Sequence, residues 1–273
     1  MPEVQACLPP GLTLVSELHQ GGQRQVFEVD IPGRRAVLKL MPAVDRVRAE
    51  REVAVGYGRI HPNLAEILDQ SVREVDVGGD AYVFFTEEFI EGDAVAGIVG
   101  TVDACGIVRA IRDLSAAVEH LWVQDRVVHR DIKPLNMIRR PDGSYVLLDV
   151  GIGRHQSEPS ITNPLAILGS PGYMAPEQIF PSRRRALDFR ADLFLIGIVA
   201  YQLLKGSLPF DVTAPDYVIQ LQNGITLVML AALPAELGHV FRRLLAPRPH
   251  QRYARFEQLR TDLDTAWGAL GCI

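Results

Sequence analysis

Eight consecutive residues constrain this chain more than any other stretch: His129-Arg130-Asp131-Ile132-Lys133-Pro134-Leu135-Asn136. They put a carboxylate, an ammonium and a carboxamide into one tight loop. An apolar helical pattern precedes that loop and a hairpin pattern follows it, Met137–Arg140 and Tyr145–Asp149 joined by Pro-Asp-Gly-Ser, a strong turn signal. A fold that accommodates this segment must hold a polar loop at strand ends. Thirteen residues beyond Asn136 stands Asp149, followed by Val150-Gly151. A carboxylate and an amide oxygen at neighbouring strand ends can share a magnesium ion. Asp131 can accept a hydroxyl proton, and Lys133 can neutralise a moving phosphoryl group. Phosphoryl transfer needs this kind of positioning and charge stabilisation, with little covalent work by the protein. The plainer reading, a polar turn between a helix and a hairpin, leaves the second match at Asp149 unexplained.

The rest of the chain divides at about Glu88–Asp93. Before it, strand patterns dominate: Leu12–Leu18 and Val26–Val29 flank a Gly-Gly pair, and Ala36–Leu40 is a third apolar run. Pro32-Gly33 marks a turn. Arg46–Arg59 reads as a helix, ended by His61-Pro62-Asn63 because the residue before proline leaves the α region. Ile67–Val77 and Tyr82–Phe89 read as a hairpin around Gly78-Gly79-Asp80. After it, helices dominate. Asp103 can cap a helix reaching about Gln124, and further helical patterns cover about Ala191–Leu204, Glu236–Leu245 and Phe256–Ala269. A loop-like stretch rich in Ser, Thr, Pro and Gly runs from Gly151 to Pro176.

Composition excludes several classes. A net charge of −5 over 273 residues argues against a nucleic-acid binder, since phosphate neutralisation needs a basic surplus. No run of about 18 apolar residues is present, so no spanning helix is expected. The N-terminus lacks a basic region followed by an apolar run, the pattern of a secretory signal. Cys7, Cys105 and Cys272 are odd in number and far apart, which suggests reduced thiols in a cytoplasmic protein rather than a disulfide scaffold or a zinc site.

At this point the chain resembles the eukaryotic-like Ser/Thr protein kinase family, over nearly its whole length. His129–Asn136 is similar to the family's catalytic loop, Asp149-Val150-Gly151 to its magnesium-binding DFG with Val for Phe, and Ala175-Pro176-Glu177 to its APE. Ala36-Val37-Leu38-Lys39 resembles the VAIK strand. The resemblance implies an α+β, bilobal protein-kinase fold: a small antiparallel β-sheet N-lobe with one main helix, and a larger, mostly helical C-lobe. It implies a kinase domain over residues 12–273, with the N-lobe at about 12–87, the hinge at about 88–93 and the C-lobe at about 94–273.

Site roles follow from the same resemblance. Lys39 is the expected phosphate ligand, with a carboxylate partner from the following helix; Glu50 and Glu52 are the candidates, and family spacing selects Glu52. An apolar residue is expected one turn later, where this chain has Gly56. Aligned on Val26, the glycine-rich loop keeps Gly21 with Gly22 beside it, and has His19 and Arg24 where the pattern has other residues; Arg24 could itself touch phosphate. Leu18, Val26 and Val37 would roof an adenine pocket, Ile138 would floor it, and the hinge would offer backbone groups of Glu88 and Ile90. Glu87 falls at the rear of that pocket, where the family places an apolar residue or threonine; a shift of one would put Thr86 there instead. Asp131 and Lys133 are expected to be catalytic, Asn136 and Asp149 metal ligands. Arg130, Asp192, and the pair Glu177 and Arg252 are expected to be structural.

The activity implied is ATP- and Mg2+-dependent (or Mn2+-dependent) phosphorylation of a protein Ser/Thr hydroxyl, including the chain's own activation loop. Lys133 favours Ser/Thr over Tyr. Leu135 stands where many members directed at basic substrates carry Glu. Thr162, Ser160 and Ser157 are candidate phosphorylation sites, because an arginine such as Arg130 can bind the added phosphate. Ser170 is expected to be structural. The partners expected are a protein substrate, no nucleic acid, no membrane segment, and a homodimer for phosphorylation in trans. Two other readings are a pseudokinase acting as a nucleotide-binding scaffold, and a small-molecule kinase. The altered glycine loop, Gly56, Glu87 and Val150 point to the first, while the complete catalytic loop and the APE segment speak against the second.

Overall fold

A computed structural model of the chain describes residues 2–21, 24–150, 154–155, 170, 172–179 and 187–273. The chain folds into two compact units: residues 1–91 with 149–152, and residues 92–148 with 153–273.

The N-terminal unit is built on a five-stranded antiparallel sheet of order β1-β2-β3-β5-β4. Its strands are β1 Thr13–Gly21, β2 Arg24–Ile31, β3 Arg34–Pro42, β4 Arg73–Val77 and β5 Asp80–Glu88. The central strands β3 and β5 are buried on both faces. Phe27 and Val29 of β2, Ala36, Leu38 and Leu40 of β3, and Phe84 of β5 form one apolar core. Gly78 and Gly79, at φ 66° and 93°, make the β4–β5 turn that only glycine enters cheaply. Helix α1, Pro2–Cys7, was not expected from the sequence. It puts Val4 into the same core, and Gln5 bonds the backbone of Leu12 and Leu14.

Helix α2 spans Arg46–Gly56, shorter than the Arg46–Arg59 expected. Tyr57 is already extended and bridges Ile67, so the chain leaves the helix well before His61-Pro62. Gly56 shows why this end is tight. A Cβ there would collide with Ile67 Cδ1 and lie 3.1 Å from Val150 Cγ2. The missing apolar side chain is replaced by side chains arriving from outside the helix.

In the C-terminal unit, helix α3, Ala104–Asp125, is capped by Asp103, whose carboxylate accepts from the Gly106 N–H at 2.7 Å. Strand pair β6 Asp93–Ala94 and β8 Met137–Arg139 extends to β9 Tyr145–Leu147. Strand β7, Val127–Val128, pairs with β10, Arg154–His155. Helices α4 Pro176–Ile179, α5 Phe189–Lys205, α6 Tyr217–Asn223, α7 Leu227–Ala231, α8 Ala235–Leu244 and α9 Phe256–Leu270 complete it. Residues 193–201 of helix α5 are apolar on every side and buried throughout, as the middle of a central helix should be. Gly197 lets α8 approach it, since a Cβ there would stand 2.9 Å from that of Leu244. The short helices α1, α4, α6 and α7 carry too few turns to leave a periodic signal.

The expectation for the cysteines is overturned. Cys105 and Cys272 form a disulfide, with Cα atoms 5.7 Å apart across a separation of 167 residues. Helices α3 and α9 pack side by side, so the first turn of one meets the segment just after the other, within disulfide reach. Spacing in the sequence could not show that. Cys7 remains a free thiol, partly buried.

Candidate active site

In the N-terminal unit, five charged side chains converge, three of them through strand register. Lys39 pairs directly with Val26 on one side and Phe85 on the other. Residues two apart share a face, and diagonal neighbours lie within reach of long side chains. Arg24 and Glu87 therefore flank Lys39 on the same face of the sheet. Helix α2 adds Glu52, and the segment after β9 adds Asp149.

Lys39 Nζ lies 2.8 Å from Glu52 Oε1, 2.6 Å from Glu87 Oε2 and 3.8 Å from Asp149 Oδ1. Arg24 donates to Asp149 Oδ2 and lies 3.7 Å from Glu52. Lys39, Glu52 and Glu87 are all buried, with Glu52 wholly shielded. Burial opposes charge on Lys39, yet Asp149, Glu52 and Glu87 outweigh it and raise its pKa. Burial also raises Glu52 and Glu87 above the ordinary carboxylate range, Asp149 adding to both. Burial pushes Asp149 the same way, but Lys39 and Arg24 overcome it and hold Asp149 below that range. Asp149 has a left-handed backbone, φ 63°, a conformation that costs a non-glycine residue energy and that gathers at functional sites.

Of the two candidate partners, Glu52 meets Lys39, while Glu50 bonds Arg46 at the exposed face. Thr86 points the other way and bonds Asp69 through its N–H and its hydroxyl, at 2.6 and 2.8 Å. Glu87 is thus the residue beside Lys39. Val37 is buried and Val26 half-buried, whereas Leu18 is exposed. Gly21 closes the β1–β2 ladder opposite Arg24; Gly22 lies outside the described residues. The Glu88 N–H donates to the Glu66 carbonyl at 2.8 Å, and Ile90 is buried. Val150 is buried against Gly56.

The second constellation lies in the C-terminal unit, on the loop between β7 and β8. Asp192, buried at the start of α5, accepts the backbone N–H groups of His129 and Arg130, both at 2.8 Å. This bracing holds Arg130 at φ 71°. Burial raises Asp192, and His129 with the two N–H groups partly offsets the rise. His129 is fully buried, with Nε2 3.3 Å from the Leu148 carbonyl.

Around Asp131 everything converges. Oδ2 accepts from Lys133 Nζ at 2.8 Å and from Asn136 Nδ2 at 2.9 Å; Oδ1 accepts from the Ser170 hydroxyl at 3.1 Å. Lys133 also reaches Ser170 Oγ at 2.8 Å. Asn136 donates a second bond to the Asp131 carbonyl at 3.0 Å, which commits both amide hydrogens and leaves its oxygen as an acceptor. That oxygen is a hard donor of the kind divalent cations take. Ile138 is half-buried on β8, and Leu135 is exposed. Ser157, Ser160 and Thr162 lie outside the described residues.

Behind this loop, Arg252 grips Glu177 through two bonds, 2.6 and 2.9 Å, and is itself fully buried. It also bonds the carbonyls of Ala246 and Arg190, each at 2.8 Å. Gln178 was not singled out from the sequence, yet it links the Ala175 N–H (2.7 Å) to the Arg130 carbonyl (3.3 Å). Its place three residues after Ala175, in the first turn of α4, was the signal available.

The sequence profile of the protein kinase domain matches residues 31–262. The chain belongs to the protein kinase family. It is 32% identical to the serine/threonine-protein kinase Pkn1 of Myxococcus xanthus, over 93% of this chain and 38% of that protein. It is 29% identical to the serine/threonine-protein kinase PknB of Mycobacterium tuberculosis, over 91% of this chain and 40% of that one. It is 27% identical to the serine/threonine-protein kinase PrkC of Bacillus subtilis, over 81% and 34%. The chain thus spans about two fifths or less of the length of these curated relatives. No helix among the described residues is long and apolar enough to cross a membrane.

Proposed function

We propose that the chain transfers the γ-phosphoryl group of ATP to Ser/Thr hydroxyls of proteins, its own activation loop included. The observation that carries this reading is the Asp131 carboxylate, held by Lys133, Asn136 and Ser170 in one hydrogen-bonded set. Asp131 would accept the substrate hydroxyl's hydrogen bond and position its oxygen. Lys133 would bear on the developing negative charge, since it can turn donors from Asp131 to a phosphoryl oxygen. Lys39 would align phosphate. Asn136 and Asp149 would hold magnesium or manganese through their oxygens. A bound metal–ATP complex supplies the phosphoryl group and neutralises its charge.

Leu18, Val26, Val37 and Ile138 are apolar enough to take an adenine, with backbone groups of Glu88 and Ile90 and the glycines Gly21 and Gly22 around the nucleotide. The kinase domain would comprise residues 12–273. The need for ATP favours the cytoplasm, whereas the Cys105–Cys272 disulfide favours an oxidising compartment; phosphorylation in trans favours a homodimer. Thr162, Ser160 and Ser157 are the proposed loop sites, for which mass spectrometry after incubation with ATP and magnesium is the check.

The decisive experiment is transfer from labelled ATP by the wild type, Asp131→Asn and Asp149→Ala. Asp131→Asn should lose about 10²-fold or more in rate while still binding nucleotide. A variant keeping over about a tenth of the wild-type rate would refute the role given to Asp131.

A further inference from the structure

Lys39 has more carboxylate around it than a single lysine–glutamate pair requires. We propose that Glu87 is a second positioning residue for Lys39, fixing the ammonium from the sheet while Glu52 fixes it from the helix. The inference rests on the kinase reading for what Lys39 does, not for how it is held.

The register makes the contact. Val37 faces Glu87 across the β3–β5 ladder and Lys39 faces Phe85, so Lys39 and Glu87 are diagonal neighbours on one face. Their charged atoms are 2.6 Å apart, slightly closer than Lys39 and Glu52 at 2.8 Å. All three side chains are at most 5% exposed. An ammonium has three N–H bonds. Glu52 and Glu87 take two, and the third is left with one direction. With Glu52 alone, the group could still turn about that contact. The two holds also come from different elements. Glu52 moves with α2, whereas Glu87 belongs to the same sheet as Lys39. A displacement of α2 therefore leaves Lys39 tethered to its neighbouring strand.

A third buried carboxylate is costly unless it is answered. The answer lies on the other side of Lys39, where Arg24 of β2 pairs with Asp149 and lies 3.7 Å from Glu52. The row Arg24–Lys39–Glu87 thus adds one positive and one negative side chain to the Lys39–Glu52–Asp149 set. Glu87 reaches no reacting group in this arrangement and acts through Lys39.

The test is a cycle of Lys39→Met, Glu87→Gln and the double variant in the full chain, read by thermal unfolding. Removing one member of a buried pair leaves the other as an uncompensated buried charge, whereas removing both can be neutral. Glu87→Gln should therefore shift the midpoint upward by more where Lys39→Met is already present than in the wild type, since only in the wild type does Lys39 answer the Glu87 charge. An equal shift in both backgrounds would overturn the proposal. If Glu87→Gln cannot be purified, Lys39→Met with Glu87→Leu must melt above Lys39→Met alone, or the proposal fails. A second readout separates positioning from simple packing. Glu87→Gln should lower phosphoryl turnover about tenfold, while calorimetric affinity for a magnesium–nonhydrolysable ATP analogue changes less than about threefold. Unchanged turnover overturns the proposal. A wild type that transfers no phosphate sinks the kinase reading instead, and the unfolding cycle still decides whether Glu87 holds Lys39.

Discussion

The two charged constellations are assembled in opposite ways. Around Asp131, the loop supplies two of the three partners: Lys133 and Asn136 lie two and five residues away, Ser170 comes from 39 residues on, and Asp192 braces the backbone from one helix. Around Lys39, partners come from β2, α2, β5 and the segment after β9, and Arg24 and Asp149 are 125 residues apart. The first is a hydrogen-bond network in which one carboxylate meets mostly donors. The second is an ion cluster in which three carboxylates crowd two cations. A network of the first kind tolerates a small displacement of neighbouring elements. A cluster of the second kind depends on every element keeping its place, and loss of one charge leaves others unanswered.

The largest effect should come from an ion pair in the C-terminal unit that is buried like the Lys39 cluster but, among the described residues, sets one carboxylate against one cation. Arg252→Ala leaves Glu177 buried without its cation, and should cost about 3–5 kcal/mol of stability. Denaturant unfolding checks this. A loss below about 1 kcal/mol would mean that burial does not set the strength of this pair, and would weaken the contrast between network and cluster.

Next is the packing that seats α2 in the N-terminal unit. Gly56→Ala drives a methyl group into Ile67 and Val150. Overpacking of this kind costs about 1–3 kcal/mol, and here it should also weaken the Lys39–Glu52 contact, since Glu52 is one turn away. Unfolding combined with turnover measures both. A stable, fully active Gly56→Ala would show that the ion cluster does not depend on the seating of its helix.

The remaining effect is on pH dependence. Burial, with Asp149, raises Glu52 from 4.5 to about 8 in the folded chain. The folded state therefore holds this proton more tightly than the unfolded state does. The resulting stability is complete below about 4.5 and is lost as pH rises through about 8. Asp149 works with the opposite sign: its depressed pKa gives stability that is lost only as pH falls below the usual carboxylate range. Subtracting the stability profile of Glu52→Gln from that of the wild type should leave a slope between about pH 5 and 8. A flat difference would place Glu52 among ordinary carboxylates.

This contrast also explains what could be read from the sequence. The strand-rich start, the helical remainder and the loop His129–Asn136 follow from local patterns, and so does the Asp103 cap. Register is not local. Nothing in the order of residues 24, 39 and 87 says that two diagonals bring Arg24 and Glu87 to opposite sides of Lys39, although counting in twos along paired strands would have allowed it. The early end of α2 was hidden for the same reason: Gly56 is required by Ile67 and Val150, which come from other segments. The family pattern named most of the residues now seen in the two constellations. It offered no partner for Glu87, because the pattern has no carboxylate there.

The disulfide between Cys105 and Cys272 has a topological consequence. It converts the chain from the first turn of α3 to its penultimate residue into a closed covalent ring. Cutting a ring once opens it without dividing it. A single proteolytic break anywhere between the two cysteines would leave one molecule of almost unchanged mass on a non-reducing gel. The same sample would resolve into two fragments once a thiol reductant opened the bridge.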